Sequence, residues 1–302
     1  HHMAEALRHR IILDTDPAMG ENMGLDIDDD LAIIFLLNSP EIEIAGITTT
    51  YGNSSNSRTY RDAKRLLARA GRPDIPVFKG AGWTSRDLGR ETDSSRFIAE
   101  TIREQPGELT MVTIGPLTNL ATAMEQSPGL LSDVKELVMM GGRLKDGRTE
   151  LNFSAHPCAT ASVLADSCPT FIVTMDLCFQ VLFTEQHLAM LKSKPDLVLA
   201  PWMGAIRRWL LMNRLFMGAL SLIDKDIPPG GFFPWDGIAA AYLIAPDLFT
   251  REKKAVMAME GKKVRIKEAM ADDPRAVRLP AEVDAKRFME MFMDRIGSMT
   301  AP

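Results

Sequence analysis

Two short stretches hold most of the residues in this chain that could do chemistry together. Asp14-Thr15-Asp16-Pro17 follows an apolar run, Ile11 to Leu13, and Asp26-Ile27-Asp28-Asp29-Asp30 comes a short loop later, directly before a second apolar run, Leu31 to Leu37. One reading of such a charge run is a solvated acidic loop. The other is that core-forming flanks force several carboxylates to converge at one mouth. Like charges held that close repel and raise one another's pKa unless a cation intervenes. Hard divalent cations, Ca²⁺ or Mg²⁺, take oxygen ligands from such groups. The apolar flanks weigh towards this second reading.

Generic acidic motifs do not account for the pattern. An EF-hand loop counted from Asp26 fails, because Leu31 stands where the turn glycine is needed and Leu37 where the bidentate glutamate is needed. Asp14-x-Asp16 after an apolar strand resembles the first motif of the haloacid-dehalogenase phosphatases. No acidic pair of the GDxxxD kind follows a later strand, so a metal-dependent phosphatase is a weak reading.

The elements that must position these carboxylates alternate along the chain. Strand-like runs are Arg10–Asp14, Ile42–Thr50, Pro76–Phe78, Leu109–Ile114, Lys135–Met140 and Thr170–Asp176. Most are continuously apolar, as expected of strands covered on both faces of a parallel sheet. Helix-like stretches fall between them at Asp30–Asn38, Ser57–Ala70, Ser94–Glu104, Leu117–Glu125 and Ala159–Asp166. From about Glu185 the chain reads as mostly helical, through Pro201–Leu220 and Pro234–Ala245. The expected fold is α/β: a single domain over residues 3–302 with a mostly parallel, Rossmann-like central sheet, flanking helices and a helical C-terminal part. Open sheets of this kind bind ligands at the carboxyl ends of their strands, where the aspartates lie.

Composition narrows the function classes. At 302 residues, 46% hydrophobic and 25% charged, the chain reads as an ordinary globular protein with a sizeable core. A formal net charge of -5 argues against a nucleic-acid partner. The longest apolar candidate, Ile238 to Ala245, is far shorter than a membrane span requires. His1 and His2 before Met3 resemble a purification-tag remnant. Cys158, Cys168 and Cys178 form no CxxC pair, which suits a reducing cytoplasm; buried spectator thiols are favoured over a nucleophile.

The acidic pattern resembles a known family. Asp14-Thr15-Asp16-Pro17 with Asp28-Asp29 is similar to the DTDPGxDD signature of the nucleoside hydrolases, the calcium-dependent N-ribohydrolases. The resemblance continues in order along the chain: Gly46 to Asn53 (GITTTYGN), Ile114 to Leu120 (IGPLTNL), Met140-Gly141-Gly142, Glu150-Leu151-Asn152-Phe153 and Trp235-Asp236. It implies that Asp16, Asp29 and Asp236 ligate Ca²⁺ through side chains and Ile114 through its backbone carbonyl. Asp16 would double as the general base towards water. Asp28, Asn53, Met140, Glu150 and Asn152 would hold the ribose. The implied partner is a small-molecule nucleoside, with a homodimer or homotetramer as the expected assembly. Cleaving an N-glycosidic bond passes through an oxocarbenium-like transition state, which a ring of carboxylates stabilises.

The chain also departs from that family's pattern. Ala18 to Ile27 is an insertion within the signature, so Asp26 and Asp30 compete with Asp28 and Asp29 for their places. Many members carry a histidine before the last aspartate and another on a flap. Here the first position is Trp235, and Gly80 to Asp93 contains no histidine. His156 and His187 read as solvated residues at helix starts. Trp-Asp resembles the purine-specific branch, in which the base is stacked between aromatic residues, with Trp83 as the candidate second face. The short loop from Gly142 to Glu150 leaves Arg148 as a candidate contact on the ribose 5′ side. The expected activity is hydrolysis of ribonucleosides, purines preferred; the rival reading is a nucleoside-binding or sensing protein without turnover.

Overall fold

The computed structural model describes residues 9–20, 26–83, 87–146 and 149–302. The chain opens with β1 (His9–Thr15), α1 (Asp28–Leu37), β2 (Ile42–Thr49), α2 (Asn56–Arg69), β3 (Val77–Lys79) and α3 (Asp93–Glu104). The alternation continues through β4 (Thr110–Thr113), α4 (Thr118–Gln126), β5 (Glu136–Met140), the single turn α5 (Leu151–Ser154), α6 (Pro157–Ala165), β6 (Thr170–Val173) and a second single turn, α7 (Met175–Cys178). Helices α8 (Glu185–Lys192), α9 (Met203–Ile223) and α10 (Trp235–Tyr242) follow. The chain then returns to strands, β7 (Phe249–Thr250), β8 (Lys253–Glu260), β9 (Lys263–Glu268), β10 (Val277–Leu279) and β11 (Glu282–Val283), and ends on α11 (Ala285–Ile296).

The fold is α/β, and the six strand-like runs read from the sequence all form strands. The helical C-terminal part is only partly so. Beyond α10, β8 and β9 make an antiparallel hairpin and β10 pairs with β6, extending the central sheet. Strand β9 escapes a search for continuous apolar runs because one face is solvated, whereas β8 carries a short apolar run, Ala255 to Met259, within a part read as helical. Ala255 and Met257 of β8 and Val264 of β9 are buried, while Lys263 and Arg265 on either side of Val264 are exposed. Gly261 makes the turn at φ +61, a left-handed backbone that glycine adopts without steric cost.

Nine strands lie in the order β3-β2-β1-β4-β5-β6-β10-β8-β9. All neighbours from β3 to β10 run parallel, and the last two pairings are antiparallel. Alternate strand residues serve opposite faces. Ile11 and Leu13, Val112, Val138 and Phe171 join one apolar cluster with α1, α10 and α11. Ile12, Met111, Leu137, Met139 and Ile172 join the other with α3, α4 and α6. Burial on both sides is why these segments carry no polar alternation. Helix α1 is buried along nearly its whole length, beginning with three aspartates.

The sheet reverses its winding between β1 and β4, which are direct neighbours. A crevice opens at such a point outside the carboxyl ends of the strands. Asn119, in the first turn of α4, ties this region together. Its Nδ2 donates to Asp14 Oδ1 at 2.8 Å and to the Thr49 carbonyl at 3.0 Å, while Oδ1 accepts from Ala81 N–H at 2.9 Å. Asn119→Ala strands these buried partners, and we expect a loss of about 2–4 kcal/mol in stability by urea unfolding. A change within about 0.5 kcal/mol would mean the three segments hold together without it.

Candidate active site

The crevice holds a cavity of about 520 Å³ with two different walls. Its polar side is formed by Asp26, Asp28, Asp29, Asn53, Ile114, Met140, Glu150, Asn152 and Asp236. Its apolar side is formed by Leu151, Met175 and Trp235, with Trp209, Met212, Phe216 and Met217 of α9 around Asn213.

Strand β1 carries Asp14 and ends directly before Asp16, and the first turn of α1 delivers Asp28, Asp29 and Asp30. The competition within the second acidic stretch resolves by direction. Asp29 turns towards Asp16: its Oδ1 accepts from Thr15 Oγ1 and from Asp16 N–H at 2.9 Å, and its Oδ2 from Asn53 Nδ2 at 3.0 Å. Asp28 Oδ2 accepts from Asp236 N–H at 2.8 Å. Asp30 points elsewhere, accepting from Ala18 and Met19 N–H and lying against Asp62 of α2. Asp26 accepts from Ile27 and Asp28 N–H and remains at the cavity wall.

Asp16 does not line the cavity itself. It lies behind Asn53 and Asp29, 1% exposed, with Oδ2 accepting from Asn53 N–H at 2.8 Å and Oδ1 lacking any partner. Two glycines make room for this carboxylate. A Cβ on Gly52, whose φ of +155 already disfavours other residues, would stand 2.0 Å from Asp16 Oδ2; one on Gly115 would stand 2.8 Å from Oδ1.

Burial first, and neighbouring carboxylates second, push Asp16, Asp28 and Asp236 well above the usual carboxylate range. Asp29 is raised by burial and held back by its donors. Burial pushes Asp26 up to about 7, with Asp29 adding repulsion. Asp14 also reaches about 7, through burial against the opposing hydrogen bonds of Asn119 and Thr48. Asp29 is in side-chain contact with Asp16 on one side and Asp236 on the other. Carboxylates in contact need a shared proton or a cation between them.

As they stand, no three His, Cys, Asp or Glu side chains among the described residues surround one point as ligands. The donor set nonetheless suits a hard cation. It is all oxygen, and Asp16 Oδ1 and Asp28 Oδ1 are buried without partners. The Ile114 carbonyl at the end of β4 is held by Asn152 Nδ2 at 3.2 Å and opens on the same cavity.

The sugar-side candidates form a scaffold of their own. Glu150 caps α5, with Oε1 accepting from Gly142 and Phe153 N–H and Oε2 from Asn152 N–H at 2.7 Å. Asn152 Nδ2 spans the Ile114 and Met140 carbonyls. Asn53 spends both its donors on Asp16 and Asp29, so it braces the carboxylates as well as facing the cavity.

Of the aromatic pair, only Trp235 lines the cavity. Its ring packs against Phe179 at 5.7 Å and Phe233 at 4.9 Å between centroids. Trp83 does not line it; 57% exposed, it lies against Tyr51 with centroids 4.7 Å apart. Arg148 lies outside the described residues. His156 is buried as the N-cap of α6, not solvated as its place at a helix start suggested, and His187 caps α8. Cys178 is buried but Cys158 is exposed, so only part of the thiol expectation holds. Sequence reasoning missed the whole contribution of α9. The signal was an asparagine, a poor helix former, inside the apolar run Trp209 to Met217.

Comparison with known proteins agrees with this architecture. The sequence profile of the inosine-uridine preferring nucleoside hydrolases matches residues 11–290. A non-specific ribonucleoside hydrolase of Escherichia coli is 28% identical, covering 94% of this chain and 97% of its own. Uridine nucleosidase 1 of Arabidopsis thaliana is 27% identical over 87% of this chain and 82% of its own. Among solved structures, a plant nucleoside hydrolase superposes with a TM-score of 0.80 at 24% identity, covering 97% of this chain and 99% of its own. A purine-preferring ribonucleoside hydrolase of Gardnerella vaginalis gives 0.78 at 23% identity, covering 96% and 98%. The fold is that of the nucleoside hydrolases. The chain belongs to the inosine-uridine preferring nucleoside hydrolase family, and its activity is that of a nucleoside N-ribohydrolase.

The cradle around Asp16 makes it the most exacting position. Asp16→Asn keeps the shape between Gly52 and Gly115 but removes the charge and the basic oxygen. We expect turnover to fall by more than the roughly 10²–10⁴-fold typical of losing a general base alone, with the unfolding midpoint little changed. Near-normal turnover would show that the reaction does not depend on this carboxylate.

Proposed function

We propose that this enzyme is a Ca²⁺-dependent ribonucleoside hydrolase that prefers purine nucleosides, with Asp16 as the general base. One observation carries the reading. Carboxylates and an aromatic-apolar wall line the same cavity. A sugar suits the first wall and a planar base the second.

Asp16, Asp29 and Asp236, with the Ile114 carbonyl, are the groups that would hold the cation. A bound divalent ion supplies Lewis acidity, lowering the pKa of water and orienting the ribose hydroxyls. Asp16 Oδ1, buried without a partner, accepts the proton of the attacking water. Asp28 Oδ1, likewise unpartnered, accepts a hydrogen bond from a ribose hydroxyl. Glu150 and Asn152 hold the sugar from a rigid turn, and the carboxylates face the positive charge that develops on it. The all-oxygen donor set favours Ca²⁺ over a transition metal.

Purine preference rests on Trp235. Stacking against the indole raises the basicity of the base's imidazole nitrogen, so solvent can protonate the leaving group without a histidine acid. Relatives include uridine nucleosidases, and a purine-preferring enzyme shares the fold.

A panel of nucleosides read by reducing-sugar release should show purine ribonucleosides cleaved fastest. Exhaustive chelation should abolish release, and Ca²⁺ should restore it. Full activity in a verified metal-free sample would contradict the metal assignment.

The role of Trp235 is separable from packing. The indole face favours a protonated base by a cation–π contribution of about 1–2 kcal/mol. Trp235→Ala should therefore lose inosine turnover far more than Trp235→Phe. Cleavage of nitrophenyl riboside, whose leaving group needs no proton, should survive the Ala change much better. Equal losses on both substrates would mean that Trp235 only packs the site.

A further inference from the structure

Helix α9 supplies much of the apolar wall yet is weakly seated. Its buried residues, Ile206, Leu210 and Asn213, all fall in its first half. Beyond them only Met217 and Leu220 rest partly against the core, while Leu215, Phe216, Leu222 and Ile223 are exposed. Phe216 and Met217 nevertheless line the cavity. A helix end with so little burial needs another hold if it is to present a fixed wall.

That hold is electrostatic. Asp224, the C-cap of α9, accepts from Arg143 Nη2 at 2.5 Å, and Lys145 Nζ stands 3.6 Å from its other oxygen. The Arg143 guanidinium is buried, 3.8 Å from Asp146 and 5.7 Å above the Phe179 ring. Its hydrogen bond holds the Asp224 carboxyl down at about 2, so the pair stays charged at neutral pH. The arginine belongs to the loop that follows β5. There Gly142 N–H donates to Glu150, and Leu144 and Lys145 N–H donate to Asp176 of α7. Phe179, beneath the guanidinium, meets the Trp235 ring. Arg143 lines no part of the cavity, yet it joins the elements of both walls.

We propose that Arg143 is a positioning residue for substrate binding: its ion pair with Asp224 anchors the free end of α9 to the β5 loop and thereby sets the apolar wall over the sugar-binding side. The proposal rests on the nucleoside hydrolase reading, whose substrate must contact both walls at once. Loss of the anchor weakens binding of the base and leaves the carboxylates undisturbed. KM therefore rises while kcat holds.

Two single variants and their combination test this. Asp224→Asn keeps the acceptor for Asp226 N–H but weakens the ion pair; Arg143→Met removes the cation while filling similar space. Each should raise KM for the best nucleoside about tenfold with kcat within about threefold. The double variant should lose no more than the worse single one, because both break the same contact. Amide hydrogen exchange should quicken about tenfold in residues 214–223 and stay unchanged in β1 and β4. A fall in kcat at constant KM, additive losses, or unchanged exchange in α9 would overturn the anchor. If the wild-type chain released sugar from no nucleoside, the functional reading would fail instead. The exchange measurement would still decide whether the ion pair holds the helix.

Discussion

Everything in this structure turns on placing several carboxylates together out of water. Asp14, Asp16, Asp28, Asp29 and Asp236 are all buried, and Asp29 touches two of the others. A group of like charges in a low-dielectric interior survives only if protons or a cation neutralise it. The surrounding donors are arranged accordingly. Thr15, Thr48, Asn53, Asn119 and the backbone of Asp236 donate to these carboxylates, while Asp14 Oδ2, Asp16 Oδ1 and Asp28 Oδ1 stay buried without partners.

The fold supplies what this cluster requires. Reversal of the strand order between β1 and β4 creates a crevice where the Asp16 and Ile114 ends lie side by side. Apolar packing on both faces of the sheet fixes those ends. Gly52 and Gly115 leave the space that the Asp16 carboxylate fills. The second wall is built differently. Helix α9 lines the cavity, is buried mainly in its first half, and ends on the Asp224–Arg143 contact. A rigid acidic floor and a more lightly held apolar wall suit a reaction in which the charged transition state must be fixed but the base must enter and leave.

The sequence made the first half of this arrangement legible. Asn53, Ile114, Met140 and Asn152 are assigned through the family resemblance, whereas Asp14-x-Asp16 and Asp28-Asp29 lie next to strongly apolar segments. Such positions are fixed by local pattern, so strand ends could be read as site positions. Asp236 follows no strand and was placed by family resemblance; the structure brings its backbone N–H onto Asp28. Three features escaped. In the β8–β9 hairpin, β9 alternates charged and apolar residues and so resembles no buried strand. Trp83 sits on Tyr51 outside the cavity, a placement that depends on loop path and not on residue type. The contribution of α9 depends on how a helix far along the chain crosses the sheet, which periodicity alone does not report.

The account stands or falls on whether the carboxylate cluster takes up a hard cation. Calorimetric titration of Ca²⁺ into the metal-stripped protein, repeated in buffers of different ionisation enthalpy, measures binding and proton release without reference to activity. Carboxylates raised by burial must give up protons when a cation replaces them. The expected result near neutral pH is one site per chain with net proton release, with binding strongly weakened in Asp29→Asn. Absence of binding, or binding that Asp29→Asn leaves untouched, would contradict the account.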